Sequence, residues 1–232
     1  MSKTTEYQTD RERSKAPGSA ISRVASDPVS RRKFMALSGG SAAAAFLAAC
    51  GDDDNAMTTT TGAASGGEAA VEEFGKGDIG ILNYALTLEY LEAAFYADVV
   101  KSGLFKGSDL ATIRKFGETE AEHVEALKAT VKSSGGKPAP QPKTEFPLKN
   151  AKSVLELAAT VENLGAAAYL GQAPNIKSPA VLAAALSIHS VEGRHAAALN
   201  TLLGKTIVPD GAFAKPADAS TVLKSVEPFI VG

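Results

Sequence analysis

The chain has 232 residues, 44% of them hydrophobic and 22% charged, with a formal net charge of −2, one cysteine and three histidines. Residues 1–50 hold eight Lys/Arg against four Asp/Glu, so the rest of the chain has 16 against 22 and a net charge of −6. A mildly acidic surface takes nucleic-acid binding out of the leading candidates, because phosphate neutralisation needs cations. A single thiol rules out a disulfide framework, a Cys-ligated zinc site and an iron–sulfur cluster.

In chain order, the basic stretch ends at Ser30-Arg31-Arg32-Lys33-Phe34-Met35, and 34–49 is apolar, uncharged and rich in Ala and Gly. Sixteen residues are too few for a spanning helix, which needs about 20. A charged start, a short apolar run and small residues at its end make a signal peptide. Arg31 and Arg32 with the following Lys-Phe resemble the twin-arginine export motif, which implies the twin-arginine machinery as a partner. Leu47-Ala48-Ala49-Cys50 is similar to a bacterial lipobox, which implies lipidation of Cys50, a membrane anchor and a place in the cell envelope. Residues 51–77 are mostly Asp, Thr, Gly, Ser and Ala and are expected to be a flexible tether.

Helical periodicity starts at Asp78, with Ile79, Leu82, Leu86, Leu88, Leu91, Phe95 and Val99 on helical spacings and Gly103 as a stop. A second helix is expected from Ser108 and Asp109, as cap candidates, to about Ser133. The next stretch, 137–150, contains four prolines and cannot be helical throughout. A third helix is expected from about Ser153 to Leu170, stopping at Gly171. A fourth runs from about Pro179 to Leu203, stopping at Gly204. The tail, 205–232, has room for one short helix around Ala217–Val226. The first and last connections are short and make antiparallel hairpins, whereas the roughly 17-residue middle one is long enough to return along the bundle.

The two hairpins repeat each other. Leu88-Glu89-Tyr90-Leu91-Glu92-Ala93-Ala94-Phe95-Tyr96 aligns with Val161-Glu162-Asn163-Leu164-Gly165-Ala166-Ala167-Ala168-Tyr169 at an offset of 73. Glu120-Ala121-Glu122-His123 aligns with Glu192-Gly193-Arg194-His195 at an offset of 72. Two motifs repeating at nearly one offset indicate a duplicated helical hairpin. Glu and His three apart share a helix face, and their same-face neighbours (Phe116 and Leu127; Ile188 and Leu199) are apolar. The carboxylates therefore point into the core, where unpaired charge costs several kcal/mol. Four glutamates and two neutral histidines are a sufficient ligand set for two divalent ions. Glu92 aligns with Gly165 and is expected to lie outside this set, with an additional ligand as the alternative. His189, one turn before Glu192, is expected to bond a carboxylate or pack in the core. Tyr96 and Tyr169 are expected to pack, with a bond to a ligand or electron transfer as the alternative.

A glutamate on each of two helices, with Glu-x-x-His on each of the other two, resembles the di-iron and di-manganese carboxylate proteins of the ferritin-like superfamily. Residues 78–204 carry the resemblance, which is similar to exported bacterial ferritin-like proteins and plant desiccation-related proteins. It implies an all-α four-helix bundle with a long crossover between helices 2 and 3. By position, Glu89 and His123 would bind one metal and Glu162 and His195 the other, with Glu120 and Glu192 bridging. It implies two Fe ions, with two Mn ions as the alternative. The implied activity is oxidation of Fe(II) or reduction of dioxygen or peroxide, in envelope stress or iron handling. A catalase-like di-manganese enzyme and a non-catalytic stress or desiccation protein are the other readings. A lipid-tethered start disfavours a storage cage and leaves smaller homo-oligomers open.

Overall fold

The computed structural model describes residues 69–231. The expected export and lipidation residues Arg31, Arg32 and Cys50 lie outside the described residues. The fold is all-α. Helix α1 (Gly77–Ser102) and α2 (Gly107–Ser133) form one hairpin, and α3 (Ala151–Gln172) and α4 (Pro179–Leu202) form the other, with α5 (Ala219–Val226) following. Gly103, in the left-handed conformation at φ 70°, ends α1 and turns the chain, as a glycine without a Cβ can do at no steric cost. Residues 134–150 form the long crossover, and 203–218 form a second long connection, from α4 to α5.

Local chemistry sets most helix ends. Asn150 accepts from the backbone N–H of Ser153, while the Ser153 hydroxyl accepts from the Asn150 N–H, so α3 starts two residues earlier than periodicity alone suggests. Ser178 caps α4, with Pro179 in the first turn where its missing N–H costs nothing. Asp218 caps α5 through the Thr221 N–H. Ser108 and Asp109 fall inside the first turn of α2, whose N-cap is Lys106.

Gly171 does not stop α3, which continues to Gln172. It serves a close approach instead: a Cβ there would lie 1.9 Å from the carbonyl oxygen of Ala217. Ala217 in turn donates its N–H to Ala167 O at 2.9 Å, so the chain entering α5 is laid directly on α3.

Every residue of α1 from Gly80 to Glu92 is buried. A four-helix bundle would leave one face of α1 to solvent. Here that face is covered by α5 and by residues 69–76, with Val71, Ile81, Tyr84, Leu88, Leu91, Ala168, Ala219, Val222 and Val226 in one apolar cluster. The final residues of the expected tether are thus packed on the bundle, with a helical turn at 69–72. Asn83 ties α1 to the segment before it and to the crossover: its amide donates to Phe74 O and Lys137 O, each at 3.1 Å, and accepts from the Ala139 N–H at 2.9 Å. The crossover also pairs with the chain after α5 in an antiparallel bridge between Thr144 and Ile230. Among the described residues, no helix is long and apolar enough to cross a membrane.

Two further apolar clusters fill the bundle interior. One contains Leu82, Leu86, Leu127, Val131 and Val181, and the other Phe95, Val99, Ile113, Phe116, Val154 and Leu199. Between these groups in sequence, on all four long helices, lies a polar layer.

Candidate metal centre

Glu89, Glu120, Glu162 and Glu192, one from each long helix, are 0% exposed, and His123 and His195 are 8% and 7% exposed. Burying four carboxylates at one level would be ruinous without compensation. Among the described residues no lysine or arginine is paired with them. The paired lysines, Lys101, Lys115, Lys128, Lys152 and Lys215, are bonded to other acids near the surface.

The histidines sit where the carboxylates meet. His123 Nδ1 lies 2.8 Å from Glu120 Oε2, and 3.2 Å from both Glu89 Oε2 and Glu192 Oε1. His195 Nδ1 lies 2.8 Å from Glu120 Oε1 and 3.3 Å from Glu162 Oε2. The ring of His195 is held by stacking on Phe116, with centroids 4.2 Å apart. Despite these short distances, His195 Nδ1, Glu120 Oε1, Glu162 Oε2 and both Glu192 oxygens make no hydrogen bond. The groups are close, yet their lone pairs are not aimed at one another's protons. Ligand atoms arranged around a common point have that geometry.

Two groups of candidate ligand atoms emerge: Glu89, Glu120, His123 and Glu192, and Glu120, Glu162, Glu192 and His195, each set within 4.8 Å. Both contain Glu120 and Glu192, the pair to which the sequence resemblance gives the bridging role. The structure thus gathers all six expected residues in one layer. A carboxylate- and imidazole-rich site of this kind suits iron, manganese or zinc.

The tyrosines do more than pack. Tyr169, on α3, donates its hydroxyl to Glu89 Oε1 on α1 at 2.6 Å, and Tyr96, on α1, donates to Glu162 Oε1 on α3. Each hairpin's tyrosine therefore orients the other hairpin's glutamate. The spacing of seven residues places Tyr and Glu on one helix face but does not reveal that each bonds across the bundle. Burial, followed by the neighbouring carboxylate, raises both phenols well above their usual value.

Glu92 is drawn into the same layer, 2% exposed. Its carboxylate occupies the space left by Gly165, where a Cβ would come within 2.8 Å of Glu92 Oε1 and 3.3 Å of Glu192 Oε2. Glu92 is not in either ligand group, yet, against the expectation of a solvated glutamate, it adds a fifth buried acid to the layer. The signal was available in the repeat: the one position where a glutamate faces a glycine. His189 is half-buried, its Nδ1 2.9 Å from Ala166 O, tying α4 to the α3 backbone and to no carboxylate. Glu118, Glu122 and Glu125 are exposed.

Without an ion, the layer must hold protons. Burial pushes Glu192 up to about 10 and Glu89 to about 7, with the other carboxylates adding to the rise. Burial also sets Glu92 well above the carboxylate range, reinforced by Glu192 and Glu89. Burial opposes the charge on Glu120 as well, but the bond to His123 and the close imidazole of His195 win, and its value is lowered. The histidines are desolvated, yet the surrounding carboxylates raise His123 to about 12 and His195 to about 9.

A model of the ferritin-like domain matches residues 77–205, more than half of the chain. The chain belongs to the ferritin-like family. Its described helices and long crossover are those of a ferritin-like bundle, and the layer of buried Glu and His provides two clusters able to hold a di-metal site. Among solved structures, the ferritin-like chain is similar to a conserved hypothetical protein from Mycobacterium tuberculosis, at 18% identity and a TM-score of 0.49, covering 55% of this chain and 90% of that one. No curated protein matches it in sequence.

Proposed function

We propose that this ferritin-like protein is an exported di-iron carboxylate protein that oxidises Fe(II) with dioxygen or peroxide, in iron handling or stress defence at the cell envelope. The observation that carries the reading is the set of buried ligand atoms with no hydrogen-bond partner: three carboxylates and one imidazole facing one another, with no lysine or arginine paired to them among the described residues. A structural core would pair or remove such groups.

Glu89 and His123 would hold one ion, Glu162 and His195 the other, and Glu120 and Glu192 both. When bound, two Fe(II) ions supply two electrons, enough to reduce peroxide to water with two protons or dioxygen to peroxide. The protein's own part is to hold the ligands, exclude water and manage protons. Tyr169 and Tyr96 fix one oxygen each of Glu89 and Glu162, leaving the other oxygen of each for the metal. Phe116 holds the His195 ring. The same ligand set serves manganese, so di-manganese chemistry is the competing form of this reading.

The twin-arginine-like signal and the lipobox-like Cys50 support export and a lipid anchor. An export route that carries folded proteins suits a metal loaded before passage.

The test is anaerobic titration of the purified protein with Fe(II) and, separately, Mn(II), followed by addition of dioxygen or peroxide. Two ions bound and rapid oxidation, both lost in Glu162→Ala, are the expected result. Two ions bound with no turnover would reassign the centre to a structural role. No binding at all would overturn the site.

A further inference from the structure

A second feature of the interior has no role in ligand holding. Beside the metal layer, where the four long helices meet, lies an apolar cavity walled by Leu82, Ala85, Leu88, Leu127, Ala168 and Tyr169. Tyr169 is shared: it lines the cavity, and its hydroxyl is committed to Glu89. The cavity is therefore one side chain away from a candidate metal ligand.

Its size limits the occupant. The centre of a water-sized sphere has about 20 Å³ to move in. That room suits a molecule of a few heavy atoms and is too small for a quinone ring system or a flavin. Its chemistry limits the occupant further. A buried water needs two to four polar partners. Of the polar groups on the wall, the Tyr169 hydroxyl is taken by Glu89, and Gln172 Oε1 is taken by the Asn175 amide. Tyr84 contributes a ring and one hydroxyl without a partner. That phenol and the Gln172 amide N–H groups are the free polar groups of an otherwise apolar wall, which makes it a meagre host for water. It is a poorer one for hydrogen peroxide, which carries two donors and two acceptors.

We propose that this cavity is a holding site for dioxygen, an apolar diatomic of the right size, next to the metal layer. The proposal rests on the reading of that layer as an oxidant-reducing centre, and it selects between the two oxidants that the centre alone leaves open.

The cavity can be tested without metal. In the metal-free protein under several atmospheres of dioxygen, paramagnetic relaxation of methyl groups reports where the gas resides. The methyls of Leu82, Leu88, Leu127 and Ala168 are expected to relax much faster than those of the equally buried Val154 and Leu199 in the other cluster. Uniform relaxation, or a bound water detected at these methyls in place of the gas, would overturn the proposal. Ala168→Val and Ala85→Val fill the space from opposite walls, and each should abolish the local effect while retaining a cooperative melt. In Fe(II)-loaded protein the same two variants should slow oxidation by dioxygen roughly threefold or more and leave oxidation by peroxide unchanged. Filled variants that react with dioxygen at the parental rate would also overturn it. If the parental protein oxidises iron with neither reagent, the functional reading fails, and the relaxation experiment still decides whether the gas binds.

Discussion

Tyr169 and Glu89 are 80 residues apart in sequence, and they meet through a 2.6 Å hydrogen bond from phenol to carboxylate at the centre of the bundle. The bond joins the two hairpins and sets the direction in which the other Glu89 oxygen points, 3.2 Å from His123 Nδ1. Tyr169→Phe removes the donor and keeps the ring. Loss of a hydrogen bond behind a metal ligand typically weakens affinity by about 10–100-fold. We expect an effect of that order on binding of the first metal, measured by competition with a chelator. Tyr96→Phe should act likewise through Glu162. Affinity unchanged in both would show that these bonds do not orient ligands.

The metal-free layer is a store of like-charge repulsion and desolvation. Glu192→Gln removes one acid whose charged form is disfavoured by burial and by Glu89, Glu120 and Glu162. The metal-free variant should melt higher than the parent, by an amount equivalent to roughly 1–3 kcal/mol at neutral pH. Metal stoichiometry should fall below two. Thermal melts with and without added metal measure both effects, and a variant less stable than the metal-free parent would contradict the electrostatic account.

Stability should depend on pH with opposite sign in the two states. Glu89, at about 7, and Glu192, at about 10, are raised from 4.5, so above pH 4.5 the folded state binds more protons than the unfolded one. Stability from these groups falls as pH rises, through about 7 for the first and about 10 for the second. The histidines act in the same direction: their favourable contribution is complete below 6.5 and is lost as pH rises through about 9 for His195 and about 12 for His123. Glu120, being lowered, loses its contribution as the solution is acidified below 4.5. The metal-free protein should therefore be most stable near pH 5–6 and weaken toward pH 9. Metal binding must displace these protons, so the stabilisation it gives should grow with pH over the same interval. Melting curves from pH 5 to 9, with and without Mn(II), test the crossing of the two trends.

Two glycines of α3 should respond differently to alanine. At Gly165 the added methyl meets the far end of the Glu92 side chain, which can turn away. At Gly171 it meets the Ala217 carbonyl at 1.9 Å, which is backbone and must lift with α5. Alanine in a helix interior gains about 1 kcal/mol over glycine, so Gly165→Ala should fold within that margin of the parent. Gly171→Ala should lose more than about 2 kcal/mol and expose the segment beyond Pro216 to protease. Equal tolerance at both positions would mean that α5 is not seated on α3 in solution.

Much of this architecture is legible in the residues themselves. Glycine and proline punctuate the chain, a 3.6-residue period marks each long helix, and the length of the crossover fixes the connectivity. The six candidate ligands stand out because two spacings recur at nearly one offset, a coincidence that single-helix patterns lack. What was hidden is what lies across the bundle. Amphipathic α5 can be expected from its sequence, but not that Val222 and Val226 cover α1 and α3, because periodicity identifies a face and not its partner. Gly171 resembles a helix stop when only its own chain is considered, and its reason is Ala217, 46 residues later. Glu92 has the ordinary spacing of a surface glutamate, and only the glycine opposite shows why it fits inside.

That glycine also governs which hairpins can pair. The α1–α2 and α3–α4 units share the Glu, Tyr and Glu-x-x-His positions, so on those positions alone two copies of either could supply a symmetric layer of the same ligands. Two copies of the first would each bring Glu92 to the place where this bundle has only the hydrogen of Gly165, with 2.8 Å between a Cβ and the existing carboxylate. Like units of that kind clash, and unlike units fit. The pairing of Glu92 with Gly165 is thus one difference by which the two hairpins complement each other.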